Sequence, residues 1–335
     1  MPACRRPLGE PRPEYAMSTP RPHTAQPLAC KTWPRLNQAA AAAALATGLA
    51  SLATPALAGT GTLDSIRSSG ELVIGYRSDA VPFSYDLPGA KQPVGYAIDI
   101  CKQLAEVLKK ELKLKDLTLR YKAVDSKQRF PAVAEGQVDL ECANTTNNRE
   151  RRDKLGMAFT IPHYIAGTRM LVRKDSNIER VDDLGGKRVI TTKGTTSAPL
   201  IKAKAQDLSL NIKLLECDDD QQCFNAVDKR QADAYLMDDI LLYSFRASAP
   251  KPEDFAVVGK LLSIEPLSIM MSKKDPALKK FVDVEMARLI RGGEVAKLYK
   301  QWFESPIPPK GANLNVPMNY LMRDSLKFPT DQVGD

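Results

Sequence analysis

The chain has 335 residues, of which 43% are hydrophobic and 26% charged, with a formal net charge of +8. That is enough chain for two ordinary domains, and the composition is that of a folded soluble protein, which excludes a disordered or membrane-embedded chain. No Lys/Arg cluster is interleaved with aromatic residues, so nucleic acid is not an expected partner.

Residues 1–58 read as a secretory signal peptide. A Pro/Arg-rich lead with Arg21, Lys31 and Arg35 precedes an uncharged run from Leu36 to Leu63, and Ala56-Leu57-Ala58 fits a small-residue cleavage pattern. Thr47, Gly48 and Pro55 interrupt the run, which makes it a poor spanning helix and a good export signal. Cleavage is expected near Ala58, with Met17 as an alternative start, and export implies a periplasmic, oxidising location. The leader holds six basic and two acidic residues, so the remainder carries only +4.

Strands and helices then alternate. Glu71–Tyr76 reads as a buried strand, and 95–112 as a helix with Ile98, Ile100, Leu104, Val107, Leu108 and Leu112 on one face. Lys109, Lys110, Lys113 and Lys115 close that helix as a solvated face, where cations suit the macrodipole. A strand at 117–124, a helix at 126–135 and a strand at 138–142 follow. The second series is strand 187–191, helix 195–207, strand 212–216, helix 221–230, strand 232–237 and helix 239–247. A strand at 267–271, helices at 275–291 and 293–303, and a Pro/Asn-rich surface tail complete the chain. Both series are βαβ units, which predicts α/β architecture in two lobes with parallel-type sheets.

Open α/β sheets bind ligands at the C-terminal ends of their strands. Arg77, Ser126, Asn144, Thr195, Asp220 and Asp238 all fall at such ends. The richest of these places is ECANTTNNRER, residues 141–151. Thr and Asn oxygens accept from an ammonium, and an arginine grips a carboxylate with two parallel hydrogen bonds, so the segment suits an amino acid. It reads equally as a polar turn in which Asn148 caps the next helix. Among the cysteines, Cys217 and Cys223 are close enough to form a disulfide, whereas Cys101 and Cys142 read as inert core thiols. No cysteine spacing suits zinc, and His163 is the one histidine after the leader, so neither metal, cofactor nor a Ser-His-Asp hydrolase is expected.

The segments GTLDSIRSSGELVIGYR, VPFSY, VGYAIDI, SKQRFP, ECANTTNNRER, GTTS, MDDILL and WFESPIPPK give the chain a resemblance to a known family. It resembles the periplasmic amino-acid-binding proteins of ABC importers, solute-binding protein family 3, and within them the glutamate/aspartate binders. The resemblance implies a two-lobe periplasmic-binding-protein-like (type II) fold, with lobes at 59–167 plus 265–335 and at 168–264. It implies two hinge crossovers and a monomer that presents its closed form to a membrane permease. Arg151 would take the ligand's α-carboxylate with the Thr195 hydroxyl and the Thr196 backbone N–H. Asp238 would take the α-ammonium with Thr146 and Asn144, and Arg77, Ser126 and Arg129 the side-chain carboxylate.

Two positions depart from the pattern. Asp220 stands where these relatives have histidine, and Asn144 where they have serine. A carboxylate at 220 repels a ligand carboxylate unless it turns away or bonds Arg77 or Arg129. These departures count against glutamate and admit a side-chain amide, which Asp220 could accept from; the function that the resemblance implies is a non-enzymatic receptor for a polar, acidic L-amino acid. Alternatives are a receptor for glutamine, asparagine or another polar amino acid, and a dehydratase-like enzyme or sensor module on the same fold.

Overall fold

The computed structural model describes residues 61–334; the expected signal peptide and its cleavage point lie outside them. Two sheets organise the chain. The first runs Thr118–Ala123, Glu71–Tyr76, Leu140–Thr146, Glu265–Ser272 and Met157–Phe159 in spatial order, with Tyr164–Ala166 also paired to Glu265–Ser272. The second runs Lys213–Cys217, Arg188–Thr192, Ala234–Asp238, Thr168–Arg173 and Phe255–Val258. The first three strands of each are parallel, as the βαβ pattern requires. Each sheet also carries antiparallel strands at the point where the chain changes sheet. The fold is the expected α/β two-lobe type.

The chain leaves the first sheet after Ala166 and returns to it at Glu265. The two crossings lie side by side. The Leu262 N–H donates to the Thr168 carbonyl at 2.9 Å, and a Cβ on Gly167 would stand 2.6 Å from Leu261 Cδ2. The exposed Leu261 side chain can move aside, but the Ser263 carbonyl oxygen would stand 3.0 Å from that Cβ, so close approach of the two connections favours glycine at 167.

Helices cover the sheets through the periodic apolar faces that the sequence carries. Tyr96–Glu111 buries Ile98, Ile100, Cys101, Leu104, Ala105 and Leu108. Its Cys101 is joined to Cys142 on the Leu140–Thr146 strand, with Cα atoms 6.4 Å apart. The expectation of inert thiols is corrected: a helix packed across a strand brings one side chain of each into bridging range, which sequence spacing could not reveal. The expected Cys217–Cys223 bridge is present. His163 is buried beside Phe83 and Tyr96, where loss of hydration pushes it down to about 3 and keeps it neutral.

Two further local expectations change. The strand carrying ECANTT does not end at Cys142; it runs to Thr146, with Thr145 and Thr146 paired to Ser268 and Leu267. A long-range antiparallel partner satisfies the backbone there, so polar side chains can occupy a buried strand. The tail also contains a helix, Tyr320–Lys327, capped by Asn319, whose side chain accepts from the Met322 N–H and donates to the Ile165 carbonyl at 3.2 Å.

Candidate functional site

A pocket lies between the two sheets. Arg77, Arg129, Asn144, Thr146 and Arg151 line it from the first-sheet side, and Thr195, Thr196, Met237 and Asp238 from the second. Eight of the ten residues singled out in the sequence meet here. The other two, Ser126 and Asp220, stand just behind the lining and hold its edges.

Each arginine reaches the pocket for a local reason. Arg151 sits in the short helix Arg149–Asp153, whose first turn is capped by Asn148: its side-chain oxygen accepts from the Arg151 N–H at 2.9 Å. The capping and ligand-site readings of this segment are therefore compatible. The Arg151 guanidinium donates to the Thr146 carbonyl at 2.7 Å and lies 5.1 Å from the centre of the Phe130 ring. Arg129 faces the same ring at 4.9 Å, so one phenyl positions two cations. Arg129 Nη1 donates to Thr145 Oγ1 at 2.6 Å, and Thr145 in turn donates to the buried Glu141 carboxylate at 2.8 Å. Burial, with Arg151 next to it, pushes Arg129 down to about 9, although Glu141 resists the shift. Arg151 is lowered as well, by burial, with Glu265 and Asp238 opposing the shift.

Arg77 differs from the other two. It follows the Glu71–Tyr76 strand and is only 2% exposed, yet Nη2 bonds Asp79 at 2.9 Å and Asp220 at 3.1 Å. Burial opposes its charge, but Asp220, Asp79 and Glu141 outweigh burial and raise it above the ordinary arginine range. Asp220 has turned neither away nor into solvent. It is fully buried, accepts from Thr192 Oγ1 and from Tyr235 OH at 2.9 Å, and its backbone N–H donates to Asp79 Oδ2 at 2.9 Å.

Polar groups from the second-sheet side converge from the opposite direction. The helix Ser197–Asp207 points its N-terminus at the pocket, with Thr196 in the capping position. The Thr195 hydroxyl donates to the Thr192 carbonyl at 2.7 Å, and the Thr196 hydroxyl to Glu265 Oε2 at 3.1 Å. Asp238 ends its strand without making a capping bond, because Asp239 supplies that oxygen to the Ile240 N–H at 2.8 Å. Burial raises Asp238 well above the carboxylate range, with Glu265 and Asp239 adding to the shift and Arg151 resisting it. The side-chain oxygen of Asn144 is buried and unpartnered, so both it and Asp238 favour an incoming cation.

The two sides touch at the pocket rim. Ser126 Oγ donates to the Lys193 carbonyl at 2.6 Å and Arg129 Nη2 approaches the Gly194 carbonyl at 3.5 Å. Gly194 has φ +73°, and a Cβ there would stand 2.8 Å from the Ser126 carbonyl oxygen. Ser126 does not cap the helix Arg129–Ala134 that follows; Asp125 instead holds the turn before it, accepting from the Lys127 and Gln128 N–H groups at 2.8 and 2.6 Å.

Sequence reading missed Phe130, Asp79 and Glu265. Phe130 lies within the quoted SKQRFP segment and Asp79 two residues past Arg77, so both were in view without a reason to choose them. Glu265 joins the site only through the return strand, and nothing local marks it.

The arrangement places three arginines, a free carboxylate and a helix N-terminus around one small space, which is chemistry for holding a zwitterion rather than for breaking bonds. Comparison with known proteins agrees. The chain is 41% identical to the L-glutamate/L-aspartate-binding protein of Pseudomonas aeruginosa over 276 residues, covering 82% of this chain and 91% of that one. It is 36% identical to the glutamate/aspartate import solute-binding protein of Escherichia coli over 291 residues, 87% and 95% of the two chains. Among solved structures, a mutant of ArgBP from T. maritima superposes with a TM-score of 0.63 at 27% identity, over 72% of this chain and 99% of that one. The family model for bacterial extracellular solute-binding proteins, family 3, matches residues 72–305. The chain belongs to the bacterial extracellular solute-binding proteins, family 3.

Proposed function

We propose that this exported protein is a receptor for an acidic L-amino acid, glutamate or aspartate, which it carries to the permease of an ABC importer. Membership of the family makes it a solute-binding protein and not an enzyme. The observation that carries the ligand class is the trio Arg77, Arg129 and Arg151 buried around one pocket, two of them bonded only to neutral oxygens there. Anions relieve that arrangement, whereas a ligand with a basic side chain adds to the buried positive charge, at several kcal/mol.

In this reading Arg151 holds the α-carboxylate, together with the Thr196 N–H at the helix N-terminus. Thr195 joins them by turning its hydroxyl from the Thr192 carbonyl. Asp238, Thr146 and the unpartnered Asn144 oxygen receive the α-ammonium. Arg129 and the edge of Arg77 face the ligand side chain, with Ser126 beside them. The two crossings near Gly167 and Leu262 act as hinges, and ligand bridging both sides favours closure because it contacts both only when they are together. Signal-peptide cleavage near Ala58, a monomeric state and permease docking belong to the same proposal.

The test is a thermal-shift screen of the purified mature protein against the twenty amino acids. A ligand at a hundred times its Kd adds about 2.7 kcal/mol of stability. Glutamate and aspartate should raise the Tm by several degrees. A protein shifted by neither, or shifted most by lysine or arginine, refutes the proposal.

A further inference from the structure

Asp220 closes a bond that the ligand would otherwise have to make. It belongs to the helix Asp220–Asp228 that follows the second-sheet strand Lys213–Cys217, yet it pairs with Arg77 at the end of a first-sheet strand. Its carboxylate is held by Thr192, Tyr235 and Arg77 together, so withdrawing from an entering ligand would break bonds on several sides. Asp79 sits on the same guanidinium nitrogen and is anchored in turn by the Asp220 N–H. The cluster of Arg77, Asp79 and Asp220 therefore sets two carboxyl groups against one guanidinium before any ligand arrives. What Arg77 still offers the pocket is Nη1, which is buried and unpartnered.

We infer that Asp220 is a specificity-determining residue that acts through Arg77: by supplying a built-in carboxylate, it lets the pocket accept a side-chain amide nearly as well as a side-chain carboxylate. A neutral carbonyl oxygen satisfies Nη1 without adding charge. A carboxylate satisfies it too, but meets Asp220 and Asp79 across the width of one guanidinium group. Arg129 remains the one arginine on the side-chain end with charge to spare, and Glu141 offsets part of that through Thr145. The side-chain end thus rewards a ligand charge once instead of twice. This rests on the amino-acid-receptor reading above and widens its substrate class from acidic amino acids to acidic amino acids and their amides.

The experiment is calorimetric titration of the wild-type protein, Asp220→Asn and Asp79→Asn with glutamate and glutamine. Both substitutions keep a hydrogen-bonding side chain of the same size while removing one negative charge from Arg77. The readout is the ratio of the two affinities, since loss of the contact between the two sides weakens both ligands together. Wild type should bind glutamine within about tenfold of glutamate. Either variant should raise the preference for glutamate at least about tenfold. Asp79→Asn tests the same charge with the bond between Arg77 and Asp220 left in place, and it decides the matter if Asp220→Asn fails to fold. The inference is overturned by a wild-type preference for glutamate above about a hundredfold, or by a ratio that neither variant changes. A wild-type protein that binds neither ligand overturns the receptor reading itself.

Discussion

Replacing Arg151 by alanine removes the group on which the proposed α-carboxylate site depends. The side chain is 6% exposed and its guanidinium is fixed from two directions, by the Thr146 carbonyl and the Phe130 ring. The backbone does not need it, because Asn148 caps the Arg151 N–H and alanine keeps that donor. The variant should therefore fold. What it loses is a pair of charge-assisted hydrogen bonds, and the ligand carboxylate is left buried without a counter-charge. Breaking one half of a buried pair costs about 3–5 kcal/mol, which is a few hundred- to a few thousand-fold in Kd. Because every amino acid has an α-carboxylate, the loss should be similar for glutamate, aspartate and glutamine. Lysine at 151 should recover only part of it, since an ammonium cannot form the two parallel bonds. Titration calorimetry with all three ligands is the assay. Arg151→Ala binding glutamate within tenfold of wild type would refute the assignment, as would a loss confined to one ligand.

Closure can be tested at Gly194. An added methyl would meet the Ser126 carbonyl only when the two sides are together, so Gly194→Ala should weaken every ligand by at least about fivefold and leave the glutamate-to-glutamine ratio alone. A changed ratio would place Gly194 in ligand selection instead. Removing the Cys101–Cys142 bridge as a double alanine variant should cost about 4 kcal/mol for a loop of this length, seen as a fall of roughly 10 °C in Tm; an unchanged Tm contradicts the bridge. For pH, burial holds Asp238 above the usual carboxylate range, and a bound ammonium favours its ionised form. Binding should then release protons, and affinity should rise with pH through the weakly acid range by at most about tenfold per unit. Equal heats in buffers of different ionisation enthalpy would show that Asp238 does not change protonation on binding.

Much of this site was visible in the sequence because βαβ chains put their functional residues at strand ends. Arg77, Asn144 and Asp238 could be picked out by counting along apolar runs, and the helix at Ser197–Asp207 by the Thr-Thr-Ser that opens it. Local rules also separated Asp238 from Asp239, since one aspartate suffices to cap a helix. Long-range pairing was not visible. The strand through Thr146 is stabilised by residues 267 and 268, more than a hundred positions away, and polar residues alone gave no sign that it continued. Cys101 and Cys142 met for the same reason, by helix–sheet packing across 41 residues. Asp220 was noticed as a misfit from the family pattern, but its partner could be named only as Arg77 or Arg129. The choice of Arg77 depends on Asp79, whose importance is set by how two separate lobes face each other.

If one acidic amino acid binds between the two sheets, calorimetric titration of the purified mature protein with L-glutamate should show saturable binding of one glutamate per chain, abolished by Arg151→Ala. Heat of dilution alone, or saturable binding that survives Arg151→Ala unchanged, would contradict it.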